Sequence, residues 1–306
     1  MPSDREGALA VRPARRARRL MTEANSHTRV TLCLDIRRRI DHGPYAGYHE
    51  VGAIKHRIDL CDVIQIESSP RMVVECEHPD VPVDSTNLCW KAAEILKDRF
   101  EISDNACIFI DKRIPVRGGL AGGSANAATT LSLLNRMWDV GLDAPSLCEI
   151  GRQVGMDVPH YFVAPTCLDT ETGAIEPIAT DIELNLVLLV PPFGVSTAEA
   201  YRLIDYAAVG RNAGKTRAMA EALVSRDTEM VARFMHNDFE EFVFSGYGEL
   251  ARMKQELVDA GCLNAVLSGS GSTLVGLAGS RVDAERICSE LPYSCLPARS
   301  MLSSVE

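Results

Sequence analysis

From Arg29 to Arg37 the apolar residues Val30, Leu32, Leu34 and Ile36 alternate with Thr31, Cys33, Asp35 and Arg37, the period-two pattern of a strand with one buried face. The folded part is expected to begin there. Two further apolar runs, Val63 to Ile66 and Met72 to Cys76, read as strands, and a helix is predicted from Asn87 to Phe100. Cys107 to Ile114 reads as another strand, ended by Pro115, which offers no ladder donor. A run of glycines follows, and then Ala127, Ala128, Leu131, Leu134 and Trp138 recur at helical spacing up to Gly141. A second helix is predicted over Ala144 to Val154, stopping at Gly155.

Past a polar segment from Asp169 to Gly173, the run Leu184 to Val190 is a strand closed by Pro191 and Pro192. Helices are expected at Thr197 to Tyr206, Lys215 to Leu223, Met230 to Phe234 and Tyr247 to Ala260, and Ala265 to Leu277 should form strands around a Ser-Gly turn. These elements divide into residues 25–180 and 181–306, preceded by a basic extension over 1–24. The first twenty residues carry six arginines against Asp4 and Glu6 and lack a long apolar stretch, so they read as a disordered appendage, with Met21 a candidate initiator.

The chemistry concentrates at Val116-Arg117-Gly118-Gly119-Leu120-Ala121-Gly122-Gly123-Ser124, set between strand and helix. Glycines let backbone N–H groups approach an anion without Cβ interference, and the helix that follows adds the positive end of its dipole. This predicts a phosphate cradle, with Ser124 also a candidate magnesium ligand; the competing account is a turn needed only for close packing. The run fits neither GxxxxGK[ST] nor GxGxxG. Gly210 to Thr216 imitates the former but is one residue short and lacks a preceding strand, so it is read as an ordinary loop.

Composition narrows the field. A formal net charge of −10 over 306 residues disfavours nucleic acid as the main partner, because phosphates would meet a repelling surface. Ten cysteines lie scattered without a close CxxC pair, which favours reduced, buried thiols and a cytoplasmic setting. His49-Glu50 begins like HExxH, but Ala53 removes the second ligand, so protein-bound zinc is rejected. No apolar run reaches the roughly 18 residues of a membrane span, so no membrane partner is expected.

Pro115 to Ala128, Gly155-Met156-Asp157-Val158-Pro159 and Ser268-Gly269-Ser270-Gly271-Ser272-Thr273 together resemble the three signature regions of the GHMP kinase superfamily. Gly47-Tyr48-His49-Glu50, Phe193 to Thr197 before Ala200-Tyr201, and Asn237-Asp238-Phe239-Glu240 are similar to its branch that acts on 4-diphosphocytidyl-2-C-methyl-D-erythritol in the non-mevalonate isoprenoid pathway. The resemblance runs from about residue 27 to 280 and implies a two-domain α+β fold, an S5 domain 2-like N-terminal domain and a ferredoxin-like C-terminal domain, with the active site in the cleft between them. The implied activity is phosphoryl transfer from ATP, with Mg2+, to the 2-hydroxyl of that alcohol, in a monomer or homodimer. Asp157 would orient or deprotonate the acceptor hydroxyl; helix capping is its competing account. ATP would lie on Pro115, Gly118, Gly119, Leu120, Ala121, Gly122, Gly123 and Ser124, near Asn87, for which capping serves equally well. Tyr48, by stacking, and His49, by hydrogen bonds, would hold the cytosine, and Thr31, Ser268, Gly269 and Ser270 would complete the substrate side.

The chain also departs from that family. The expected Pro-Ala-Lys opening of the first strand is His27-Thr28-Arg29 here, and no lysine occurs before position 55, which leaves Arg29 as the cation expected beside Asp157. Thr31 replaces an asparagine, and residues 162–177 keep only Gly173 and Glu176 of a glycine-rich segment. Arg117 stands where a small residue is common and either contacts phosphate or faces solvent. Two other functions therefore remain open: a GHMP kinase with another alcohol acceptor, and a catalytically weakened homologue that binds nucleotide and regulates.

Overall fold

A computed structural model describes residues 21–43, 46–170 and 175–302, so the extension over 1–20, the turn residues Pro44 and Tyr45, and Gly173 lie outside the described residues. The first strand, β1, spans Met21–Arg39 and pairs antiparallel with β2, His49–Ser69, from Met21 opposite Glu67 to Arg39 opposite His49. Both are longer than alternation predicts. Residues 21–24, placed above in the extension, belong to the sheet, and the run 49–62 is strand although its centre, Lys55-His56-Arg57, is wholly polar and buried. Alternation finds strands that face water on one side, whereas these two are enclosed on both faces over much of their length.

Around this pair lie β3 (Val73–Cys76), β4 (Asn105–Asp111), β5 (Thr166–Asp169) and β6 (Ile175–Pro177), where sequence reading saw only a polar segment after Asp169. The order is β3-β4-β2-β1, with β5 on β2 and β6 on β5. β4 stops at Asp111 rather than Ile114, because Asp62 Oδ1 takes the N–H groups of Arg113 (2.7 Å) and Ile114 (2.8 Å) away from the ladder. Helices α1 (Leu88–Phe100), α2 (Gly122–Met137) and α3 (Ala144–Val154) close over Ile64, Ile66 and Ile108 of this sheet. The C-terminal half builds a four-stranded antiparallel sheet from β7 (Asn185–Val190), β9 (Asn264–Leu267), β10 (Leu274–Ala278) and β11 (Ser294–Arg299), in the order β11-β7-β10-β9.

Its helices are α4 (Thr197–Arg202), α5 (Ala213–Ser225), α6 (Thr228–Phe234), α7 (Phe239–Gly246), α8 (Gly248–Asp259) and α9 (Arg281–Glu290). α7, α9 and β11 are not among the expected elements, although the buried Phe239, Phe242 and Val243 of α7 recur at helical spacing. The Walker-like decoy is only partly loop, since α5 takes in Gly214 to Thr216 and buries Thr216 against Asp35.

The two halves share their interior. Leu34, Ile36 and Val51 of the first pair pack with Val187, Phe239 and Leu267, and Val30, Leu32 and Ile54 pack with Leu186, Leu188 and Val275. A two-residue strand, β8 (His236–Asn237), joins the first sheet directly, parallel to β1 with Asn237 opposite Leu34. Both sheets should therefore unfold together. Phe239→Ala, which empties a fully buried ring site, is expected to cost about 3–5 kcal/mol and to shift a single urea transition seen equally by fluorescence and circular dichroism. Two separated transitions would contradict the shared core.

Candidate active site

Five polar side chains of β1, β2 and β5 lie on one face of the first sheet. Arg29 is opposite Arg57 and Thr31 opposite Lys55, while Lys55 is opposite Cys167, one diagonal step from Asp169. Register shifts between His27 and Arg29 and between Thr31 and Cys33 flank this segment, and such bulges re-aim side chains. The face meets the turn that follows α3. There Asp157 precedes a short 3-10 helix, Val158–Phe162, but makes no side-chain capping bond to it, so its carboxylate is turned to other partners.

Arg29 donates from Nη2 to Asp157 Oδ2 at 2.7 Å, and Lys55 donates from Nζ to Asp157 Oδ1 at 2.6 Å. Lys55 also reaches Asp169 Oδ2 at 2.7 Å, deep in the sheet where Asp169 is 1% exposed. Burial opposes the charge on Asp157, but the attraction of Arg29 and Lys55 and their hydrogen bonds outweigh it and hold the carboxyl well below the usual range. Asp157 keeps a quarter of its side chain exposed and lines a cleft of about 400 Å³ shared with the glycine turn.

The turn itself serves two purposes. A Cβ on Gly119, whose φ is +71°, would overlap the Ser268 carbonyl oxygen and come within 2.8 Å of that of Gly271; one on Gly118 would meet Thr273 Oγ1 at 2.6 Å. These two glycines are required for packing against the 268–273 loop. Gly122 and Gly123 instead open α2. The residue before them, Ala121, adopts φ +54° and gives no side-chain cap, leaving the first N–H groups of a 16-residue helix beside the cleft. Ser124 is the third residue of that helix, half-buried. Asp62 braces the approach: beyond its two backbone bonds, Oδ2 accepts from Asn126 at 2.8 Å and from Lys112 at 3.0 Å. Lys112 lines the cleft, as does exposed Arg117, which adopts a left-handed φ of +59°.

Several expected contacts are redistributed. Leu120 is buried and its carbonyl accepts from Thr28, yet it still borders the cleft. Thr31 is buried too: its Oγ1 accepts from Arg29 Nη1 at 3.0 Å and its N–H donates to Ser268 Oγ at 3.2 Å, which makes it a brace for Arg29 rather than a substrate contact. Ser268 donates in turn to the Gly119 carbonyl at 3.2 Å and is likewise a lock between loops. Gly269 and Ser270 do line the cleft, where Ser270 is 3.0 Å from Thr197 Oγ1. Asn87 caps α1 through Cys89 N at 2.8 Å and also lines the cleft. Pro115 lines the cleft as well. Asn237 donates to the carbonyls of Leu267 (2.7 Å) and Gly269 (2.6 Å), so the Asn237-to-Glu240 motif positions the loop rather than doing chemistry.

His49 stacks on Tyr201, ring centroids 4.3 Å apart and planes at 21°, and lies parallel to Tyr206, with Nε2 bonded to the Tyr206 hydroxyl. Arg39, Arg202 and Gly47 complete a smaller pocket there, and Tyr201 borders both it and the main cleft. Tyr48, half-exposed, does not line either. Burial first, then the Arg39 charge, lowers the His49 pKa. Sequence reading missed Lys55, Asp169, Asp62, Tyr201 and Tyr206 as site residues. The only available signal for the first was a lysine placed where a buried strand would otherwise be apolar.

Two family models match the chain: GHMP kinases N terminal domain over residues 87–164 and GHMP kinases C terminal over 219–295. A 4-diphosphocytidyl-2-C-methyl-D-erythritol kinase of Gloeobacter violaceus is 37% identical over 80% of this chain and 82% of its own. One of Geobacillus thermodenitrificans is 39% identical over 76% of this chain and 80% of its own. A crystal structure of 4-(cytidine 5'-diphospho)-2C-methyl-D-erythritol kinase superposes with a TM-score of 0.75 at 26% identity, covering 91% of this chain and 98% of that one. The mevalonate kinase of L. major, at TM-score 0.71 and 16% identity over 94% of this chain and 98% of its own, shares the fold.

The tight contact between the glycine turn and the 268–273 loop yields a prediction. Gly119→Ala should lower stability by at least about 2 kcal/mol, from left-handed strain plus overlap, as read by urea unfolding.

Proposed function

The chain belongs to the GHMP kinase family, and on that premise we propose that its cleft transfers the γ-phosphate of ATP to the 2-hydroxyl of 4-diphosphocytidyl-2-C-methyl-D-erythritol. The observation that carries the reading is the position of Asp157, clamped by Arg29 and Lys55 on the wall of the cleft that the glycine turn and α2 also line. Phosphoryl transfer passes through a loose transition state that asks for positioning and charge stabilisation more than for covalent help. A carboxylate held ionised by two cations suits that demand. Asp157 orients the acceptor hydroxyl by accepting its hydrogen bond, and its low proton affinity makes it a weak base.

Gly122, Gly123 and Ser124 would hold nucleotide phosphate through the uncapped N–H groups of α2, with Arg117 and Lys112 as nearby cations. Among the described residues no three His, Cys, Asp or Glu side chains gather into a metal cage, which suits magnesium, an ion that retains waters and leans on phosphate oxygens. Bound with the nucleotide, Mg2+ would neutralise phosphate charge, and Ser124, in the first turn of α2, would be a protein ligand for it.

The smaller pocket supports the acceptor assignment. His49 with Tyr201 and Tyr206 offers a stacking and hydrogen-bonding surface for a pyrimidine, and Arg39 and Arg202 beside it suit a diphosphate. Lys55 supports a working kinase over a weakened nucleotide-binding homologue, because the lysine missing from the first strand is supplied by the second, beside the Arg29 that stands in its place. Ten free thiols and the lack, among the described residues, of a helix long and apolar enough to cross a membrane support a cytoplasmic setting.

ADP release with magnesium-ATP and the cytidyl alcohol tests the assignment. Turnover is expected in the native protein, and Asp157→Asn should lower kcat by about 10²- to 10⁴-fold with the fold intact. Absence of turnover beside demonstrable ATP binding would overturn the acceptor. For His49 the lowered pKa keeps the ring neutral at pH values above its ordinary value of about 6.5. The KM for the cytidyl alcohol should therefore stay flat from pH 8 to 6.5 and rise as acid charges the ring, a rise absent in His49→Gln.

A further inference from the structure

We propose that Lys55 and Asp169 form a positioning pair behind Asp157, in which Asp169 fixes the Lys55 ammonium and Lys55 fixes and charges the Asp157 carboxylate for transfer. The inference rests on the reading of Asp157 as the group that meets the acceptor.

Three observations carry it. Lys55 bridges the two carboxylates at 2.6 and 2.7 Å, contacts short enough for charge-assisted hydrogen bonds and too short for casual surface pairing. The bridge is sunk in the sheet, with the Lys55 side chain 3% and the Asp169 side chain 1% exposed. Isolated buried pairs contribute little net stability, and apolar residues of similar volume commonly replace them at no loss, so a purely structural role gives no reason to hold three ionised groups here.

The third observation is geometric. Arg29 and Lys55 approach different oxygens of Asp157, one from β1 and one from β2, so the carboxylate plane is fixed by two strands at once. Arg29 is itself held by Thr31 and the Gly119 carbonyl, which ties one side of the clamp to the glycine turn. Lys55 ties the other side to β5 through Asp169. Loss of either cation leaves Asp157 held through one oxygen and free to rotate. A displacement of about 1 Å at such a group costs on the order of 100-fold in rate.

The surroundings explain why the pair needs both members. Arg57 is buried on the same face, donating to the Tyr161 carbonyl at 3.0 Å and lying over the Tyr161 ring at 5.6 Å. His160 is fully buried, and burial followed by the charges of Lys55, Arg57 and Arg29 pushes its pKa well down, so it adds no further cation. Three cations therefore face this corner, and Asp169 and Asp157 are the carboxylates that meet Lys55. Without Asp169, Lys55 loses the contact at 2.7 Å that anchors it to β5, and its hold on Asp157 is no longer fixed from behind.

Three proteins test the proposal: Lys55→Met/Asp169→Asn, which removes both charges of the pair together; Asp169→Asn alone, which keeps an oxygen acceptor and the same volume; and Asp157→Asn as the reference. Kinase turnover is measured with fold monitored by circular dichroism and urea midpoint. The double variant should lose about 100-fold in kcat with the KM for ATP unchanged. Its kcat should also fall off at a higher pH on the acid side, because Asp157 has lost one of the two cations that hold it ionised. Asp169→Asn should show the same split in smaller measure, and it decides the question if the double variant does not fold. Native kcat and an unmoved acid limb in a folded double variant, or in Asp169→Asn when only that one folds, would make the pair structural and overturn the proposal. If Asp157→Asn itself retains native kcat, the reading of Asp157 fails and the pair has no carboxylate to position.

Discussion

The pairing of β2 with β1 on one side and β5 on the other places four ionised side chains beneath a sheet face and obliges the rest of the structure to accommodate them. Arg29, Lys55, Arg57 and Asp169 are at most 5% exposed, and charges so deep are tolerated only where partners are near and well oriented. The turn after α3 supplies Asp157 for two of them and the Tyr161 carbonyl for a third, and β5 exists at this edge to bring Asp169 to Lys55. The position of the cleft follows, since its catalytic wall is the exposed end of this buried array.

How much of this is legible in the sequence depends on what kind of burial each element experiences. Alternation finds the centre of β1, and helical spacing finds α1, α2 and α3, because each presents one apolar face to a core. The same logic passes over residues 49–62, where Lys55-His56-Arg57 reads as solvent-facing although the segment is interior strand. It passes over Asp62 for a like reason: a carboxylate that satisfies backbone N–H groups two strands away leaves no pattern along the chain. The glycine turn and Asp157 were recognisable because their residue types are restrictive. The lysine was not, because nothing local marks a strand position as the one that faces a carboxylate 102 residues later.

The glycine turn also shows that one motif can meet two constraints with different residues. Gly118 and Gly119 are required by backbone contact with the 268–273 loop, whereas Gly122 and Gly123 begin a helix whose first N–H groups need room. Close packing accounts for the first pair, so the anion-binding reading falls on the second. Ser268, Thr31 and Asn237 then hold the packed half in place, so the open half is set by contacts from both sheets.

The two-residue strand β8 has a consequence for how this chain is made. It covers the outer edge of β1, pairing Cys33 with His236 across some two hundred positions of sequence. During synthesis β1 and β2 can zip together early, but the free edge of β1 keeps its backbone donors and acceptors unpaired until residue 237 has left the ribosome. An exposed edge invites pairing with another nascent chain. Beyond β8 the edge is closed group by group, the Thr31 N–H donating to Ser268 Oγ and the Ile36 N–H to Asp238 Oδ2, and the charged Arg37, Arg38 and Arg39 that continue the strand discourage a foreign partner from extending the ladder.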